Sequence, residues 1–270
     1  RRLVTLFRFF LAVPALLAFR QSSRQPGRFA LGIGLILFVG WGFWSISDRN
    51  LYVDRTFFGI YRVRADANKR HHLLYNGTTL HGMQAVAGPD RSAPLTYYHR
   101  TGPFGQAFAS VPALPRVSDV AVVGLGVGSL ASYAAPGQRW TFYEIDAADE
   151  RIARDPAFFT YLRDCSDRCV VVIGDARLSL ARAKANQYGL LVLDAFSSDA
   201  IPIHLLTKEA LGLYLTRLDR HGVLALHISN RHLVLGPVLA RLASAHGLVA
   251  LEQRHKVPSQ AAKDGIVSSD

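Results

Sequence analysis

At 270 residues, half of them apolar, the chain is long enough for one large domain or two modest ones with a real core. The formal net charge of +11 is uneven, because residues 1–70 hold twelve Lys and Arg against three acids. Those arginines flank apolar runs instead of forming one stripe, which argues against nucleic acid as a partner and matches the flanks of membrane segments.

Residues 3–19 and 29–46 are the two apolar runs. The second carries no charge and approaches the roughly 20 residues a spanning helix needs. Trp41 and Trp44 near its end suit a membrane-interface belt. It is expected to be transmembrane. The first run, interrupted by Arg8 and Pro14, is expected to be a second span or an interfacial helix. Residues 1–47 are therefore read as a membrane segment of one or two transmembrane helices. If both runs span, the larger arginine cluster favours a cytoplasmic catalytic domain on a bacterial inner membrane.

Residues 48–117 are expected to form a small antiparallel β-domain and a linker. The segment 57–64 is rich in aromatic and β-branched residues, and 72–75 and 78–84 flank Asn76-Gly77, a strong hairpin signal. A Gly/Pro-rich stretch carrying Tyr97, Tyr98 and His99 leads on to the next domain.

Residues 118–270 are expected to form an α/β, Rossmann-like doubly wound sheet. Short apolar runs at 119–123, 140–145, 169–173, 190–193 and 223–228 suit buried parallel strands. Helical stretches at 128–135, 147–154, 176–185, 207–218 and 233–246 separate them. Ligands in such sheets bind beyond the carboxyl ends of the strands.

The first of these strands runs into Gly124-Leu125-Gly126-Val127-Gly128. Glycines let the backbone turn tightly and approach a ligand. Glu144 follows Gly124 by the spacing expected of an acid that grips ribose hydroxyls. Together they point to a nucleoside-containing ligand. The loop also fits a dinucleotide pattern ending at Ala131, so NAD stays open at this point. Asp175 and Ala176 follow the third strand, where a carboxylate could meet an adenine amino group. Asp194 and Asp199 follow the fourth, ahead of Pro202, and would face a cationic partner at the mouth of the sheet. A sulfonium donor with an amine substrate has a use for that arrangement.

The order of β-sheet, Tyr-His segment, glycine loop, YEID, GDA and DAFSSDAIP resembles the spermidine synthases (aminopropyltransferases), in particular their bacterial membrane-fused relatives. The resemblance covers roughly residues 52–252. It implies that Gly124, Gly126 and Gly128 line the nucleoside, Glu144 holds its ribose, Asp175 reads its adenine and Pro202 contacts it. Asp194 takes the place of the catalytic proton acceptor, and Tyr98 and His99 border the amine site with Asp199 as a further amine contact. Gln84 sits where the β-domain closes over the nucleoside. The co-substrate implied is decarboxylated S-adenosylmethionine with no metal, the partner an amine or polyamine, and a homodimer is compatible with it.

Two positions depart from that pattern: Val127 stands where an amine-binding Asp is common, and Arg100 follows the Tyr-His pair where Glu is common. A methyltransferase on the same fold and an inactive nucleoside- or polyamine-sensing membrane protein are the alternatives. Cys165 and Cys169 are expected to be reduced thiols rather than zinc ligands. His227, Ser229 and Asn230 end the fifth strand at the functional edge, where supporting and packing roles are equally expected.

Overall fold

A computed structural model describes residues 25–47, 50–110, 117–196, 201–229 and 233–256, with the side chains of 39–47 and 110 left outside the description. The chain separates into a unit of residues 1–49 and a unit of residues 50–270.

In the first unit the run 29–46 lies within helix α1 (Pro26–Ser47). The expected transmembrane helices are nevertheless corrected here. Among the described residues no helix is long and apolar enough to cross a membrane. The expected inner-membrane location falls with it. The run 3–19 lies outside the described residues.

The second unit opens with four antiparallel strands, β1 (Asn50–Thr56), β2 (Gly59–Ala65), β3 (His71–Asn76) and β4 (Thr79–Ala85), in the order β1-β2-β3-β4. The hairpin read at Asn76-Gly77 forms one residue later than its dipeptide signal. Asn76 pairs with Thr79, so Gly77 at φ +59° and Thr78 make the turn. Helix α2 (Pro103–Ser110) lies between the two sheets in sequence.

The larger sheet holds β5 (Asp119–Val123), β6 (Arg139–Glu144), β7 (Cys169–Ile173), β8 (Tyr188–Leu193) and β9 (Leu218–Leu226) in the order β7-β6-β5-β8-β9. All four pairings are parallel. The order reverses direction between β5 and β8, which creates the crevice where ligands of doubly wound sheets bind. Helices α3 (Ala147–Arg154), α4 (Tyr161–Cys165), α5 (Ala176–Arg182) and α6 (Lys208–Arg217) lie in the connections, and α7 (Gly236–Ala245) follows β9.

Alternation along the strands divides the core in two. Val120, Val122, Trp140, Phe142, Leu190 and Val192 pack on one face. Ala121, Val123, Tyr143, Leu191 and Leu193 pack on the other. Both faces are covered, as the continuous apolar strands require.

Two expectations are revised by local chemistry. The helix expected over 128–135 is a 3₁₀ segment, Ser129–Tyr133, because Ala134 turns extended ahead of Pro136 and Gly137. Cys165 and Cys169 form a disulfide with a Cα–Cα distance of 5.7 Å, where reduced thiols were expected.

Candidate active site

Strand β5 delivers the glycine loop to the switch point. Gly124 has φ +99°, and a Cβ there would stand 2.5 Å from the Asp194 carbonyl oxygen. Only glycine lets the loop lie against the exit of β8. Gly126, at φ +54°, presses in the same way on the His81 carbonyl oxygen of β4, 2.5 Å from where its Cβ would be. Next in the chain, Val127 is fully buried, and a Cβ on Gly82 of β4 would collide with its side chain. The loop is thus clamped between the two sheets. Gly128 caps the short 3₁₀ turn in a left-handed conformation.

Glu144 ends β6 and folds back under the loop. Its Oε2 accepts from the Leu125 backbone N–H at 3.0 Å, and its Oε1 accepts from that of Asp146 at 2.9 Å. Burial pushes its carboxyl up to about 6 against the pull of these backbone donors. Two further acids, unremarked in the sequence, complete the cluster. Asp146 caps α3 through the Ala148 N–H at 2.9 Å and accepts from Thr56 Oγ1 of β1 at 2.5 Å. Asp149 is buried, and that burial, with the charges of Glu144 and Asp146 beside it, holds its carboxyl well above the ordinary range. Like charges in a dry site cannot all ionise together.

Asp194 leaves β8 on the opposite side of the loop. Its Oδ1 lies 2.7 Å from His227 Nδ1, and its Oδ2 accepts from the Tyr98 hydroxyl. The Asp194 and His227 side chains are 5% and 4% exposed. Burial, and after it the Asp194 charge, push the Tyr98 hydroxyl well above its ordinary value, so it remains a donor. The Tyr98 carbonyl in turn accepts from the Tyr133 hydroxyl at 2.5 Å.

The other expected residues divide. His99 turns away from Asp194: its Nδ1 meets Thr101 Oγ1 at 2.8 Å, and its ring lies 5.3 Å from that of His255. Burial, with His255 beside it, lowers its pKa and keeps the imidazole neutral. Gln84 is spent on the fold. Its amide donates to the Arg91 carbonyl and to Thr160 Oγ1, both at 2.9 Å, and accepts from the Thr160 N–H at 2.7 Å. Asp175 caps α5 through the Leu178 N–H at 2.9 Å and pairs with His204 Nε2 at 3.3 Å. Ala176 is buried behind it, and Pro202 leads into the 3₁₀ turn Ile203–Leu205. Asp199 and Asn230 lie outside the described residues. Arg100 is exposed and lies over the Tyr133 ring at 5.6 Å.

A buried carboxylate, Asp194, a glycine loop and a second buried acid, Glu144, thus meet around one switch point. Over 115 residues, 41% of its length, the chain is 35% identical to the polyamine aminopropyltransferase of Vibrio vulnificus. The chain resembles the spermidine synthases. It spans 37% of the length of that curated relative, and no family model matches it. Among solved structures, a probable spermidine synthase from Corynebacterium glutamicum aligns with a TM-score of 0.59 at 18% identity, covering 73% of this chain and 70% of that one. The spermidine synthase of Thermotoga maritima aligns at 0.53 and 16% identity, covering 73% and 64%. A spermidine synthase in complex with the transition-state analogue AdoDATO gives 0.53 and 15% identity over the same shares. These structures share the spermidine synthase fold with the chain.

Proposed function

We propose that the chain is an aminopropyltransferase of the spermidine synthase type. It would move an aminopropyl group from decarboxylated S-adenosylmethionine to an amine and release methylthioadenosine. The observation that carries this reading is Asp194, a buried carboxylate at the switch point, gripped at one oxygen by Tyr98 and at the other by His227.

The donor set fits a nucleoside. Backbone N–H groups of Leu125, Ile145 and Asp146 approach the Glu144 carboxylate, which of its roughly four lone-pair sites leaves one for a ribose hydroxyl. Asp175 keeps a half-buried carboxylate at the end of β7, where an adenine amino group could donate to it. Gly124, Gly126 and Gly128 let the loop backbone pack closely on β4, β8 and α4 at the mouth of the crevice. Tyr98 borders the amine directly, whereas His99 and Gln84 act through the loops they hold.

The reaction this supports is an in-line displacement. The lone pair of a neutral amine forms a C–N bond at the carbon next to the sulfonium, and the C–S bonding pair returns to sulfur as a neutral thioether. The new ammonium loses its proton to Asp194. A free amine near pKa 10 is mostly protonated at neutral pH, so attack goes through the small neutral fraction, which the fixed acceptor orients before it takes the proton released on C–N bond formation. Holding the two reactants together supplies much of the acceleration.

Asp194→Asn tests the assignment. The variant should bind methylthioadenosine as the parent does and lose turnover by about 10²–10⁴-fold, the usual worth of a positioned acid or base. Turnover close to the parent's would remove Asp194 from the chemistry.

A further inference from the structure

We infer that His227 is a positioning residue for Asp194, setting the orientation in which the carboxylate meets the amine; the inference rests on the function proposed above. The register Leu193↔Leu226 sets the last residues of β8 and β9 side by side, so Asp194 and His227 leave the sheet as neighbours. The His227 N–H donates to the Leu193 carbonyl at 2.9 Å and extends the ladder by one bond, which fixes the histidine backbone. Three rings hold the imidazole from the sides: Tyr97 at 4.5 Å, Phe196 at 4.8 Å and Phe104 at 6.1 Å between centroids.

The hydrogen-bond roles follow from the inventory of each group. An ionised carboxylate only accepts, so His227 Nδ1 must carry the proton across the 2.7 Å contact. The far nitrogen, Nε2, meets Ser229 Oγ at 3.0 Å, which holds the ring in that tautomer. With Tyr98 donating to the other oxygen, the carboxylate cannot swing about its Cβ–Cγ bond without breaking a charge-assisted bond. One lone pair on each oxygen stays free in a fixed direction. Burying an acid–imidazole pair among aromatic rings is costly, and apolar side chains of the same volume would stabilise the fold at least as well. Its presence at the mouth of the crevice therefore points to the reaction.

The test compares His227→Phe and His227→Asn in steady-state turnover, with methylthioadenosine binding as the control for folding. His227→Phe keeps the ring packing and loses the donor. Its kcat should fall by about 10²-fold, the scale of a misplaced reacting group, with amine KM and methylthioadenosine Kd within about threefold of the parent. His227→Asn places an amide N–H close to where Nδ1 stands and should recover kcat to within about tenfold of the parent. A Phe variant with the parent's kcat, or an Asn variant no better than Phe, overturns the inference while leaving the aminopropyltransferase reading intact. A parent without amine-dependent turnover overturns both. Proton NMR supplies a readout that survives poor folding of a His227 variant. The parent should show a downfield imidazole N–H resonance that disappears in Asp194→Ala, and its absence from the parent also overturns the inference.

Discussion

The buried carboxyl of Glu144 makes nucleoside binding depend on pH in a calculable way. Burial raises it from 4.5 to about 6, with backbone donors at Leu125, Ile145 and Asp146 opposing the shift. An acid raised in the folded state holds its proton more tightly when folded. Its contribution therefore favours folding at low pH and is lost as pH climbs from 4.5 through about 6. At about 1.4 kcal/mol per unit, ionising Glu144 costs the ligand-free fold about 2 kcal/mol. A ribose hydroxyl donating to the ionised carboxylate would offset that cost, so binding should require the ionised form. The affinity of methylthioadenosine, measured by calorimetry between pH 5 and 8, should be flat above about pH 7 and weaken toward tenfold per unit below about pH 6. Burial and the charges of Glu144 and Asp146 raise Asp149 as well, so the Glu144→Gln variant decides which acid carries the slope. Glu144→Gln should bind more weakly at pH 8 and lose the slope. A flat profile in the parent, or an unchanged slope in Glu144→Gln, would refute the assignment of Glu144 to the ribose.

Three substitutions probe the surroundings. Tyr98→Phe removes the donor to Asp194 Oδ2 and leaves a buried oxygen short of a partner, so kcat should fall about tenfold or more while chemical denaturation shows a loss of about 1–3 kcal/mol. Gly124→Ala combines a positive φ with a backbone collision at the Asp194 carbonyl. It should lower the Tm by several degrees and weaken methylthioadenosine binding, and a parent-like melting curve would mean the loop is looser than described. Gln84→Leu orphans the Thr160 N–H and the Arg91 carbonyl and should cost about 2–4 kcal/mol in urea titration. Nucleoside affinity in the folded fraction should stay unchanged, because the amide has no spare donor for a ligand.

The parallel sheet was legible because its strands are short, continuous apolar runs, a pattern that survives without tertiary information. The positions of Gly124, Glu144 and Asp194 followed, since each sits at the carboxyl end of a strand that the pattern locates. The pairing of Asp194 with His227 was not legible. It depends on β8 and β9 being neighbours in register, which no local signal encodes. The acidic cluster was missed for a related reason: Asp149 reads as an ordinary first-turn helix acid until α3 is packed beneath the glycine loop. Gln84 was placed over the nucleoside by the family resemblance, yet its amide is absorbed by Thr160, a residue 76 positions away. The transmembrane expectation came from the length and apolarity of the run 29–46 and its tryptophans, and no described helix carries it.

The most direct test of the central claim is a product assay. The protein would be incubated with decarboxylated and ordinary S-adenosylmethionine together and a panel of amines, and the nucleosides and amines resolved by mass spectrometry. The account predicts methylthioadenosine released only when an amine is present, together with a new amine heavier by one aminopropyl group. Release of S-adenosylhomocysteine instead, or of no nucleoside product with any amine, would contradict it.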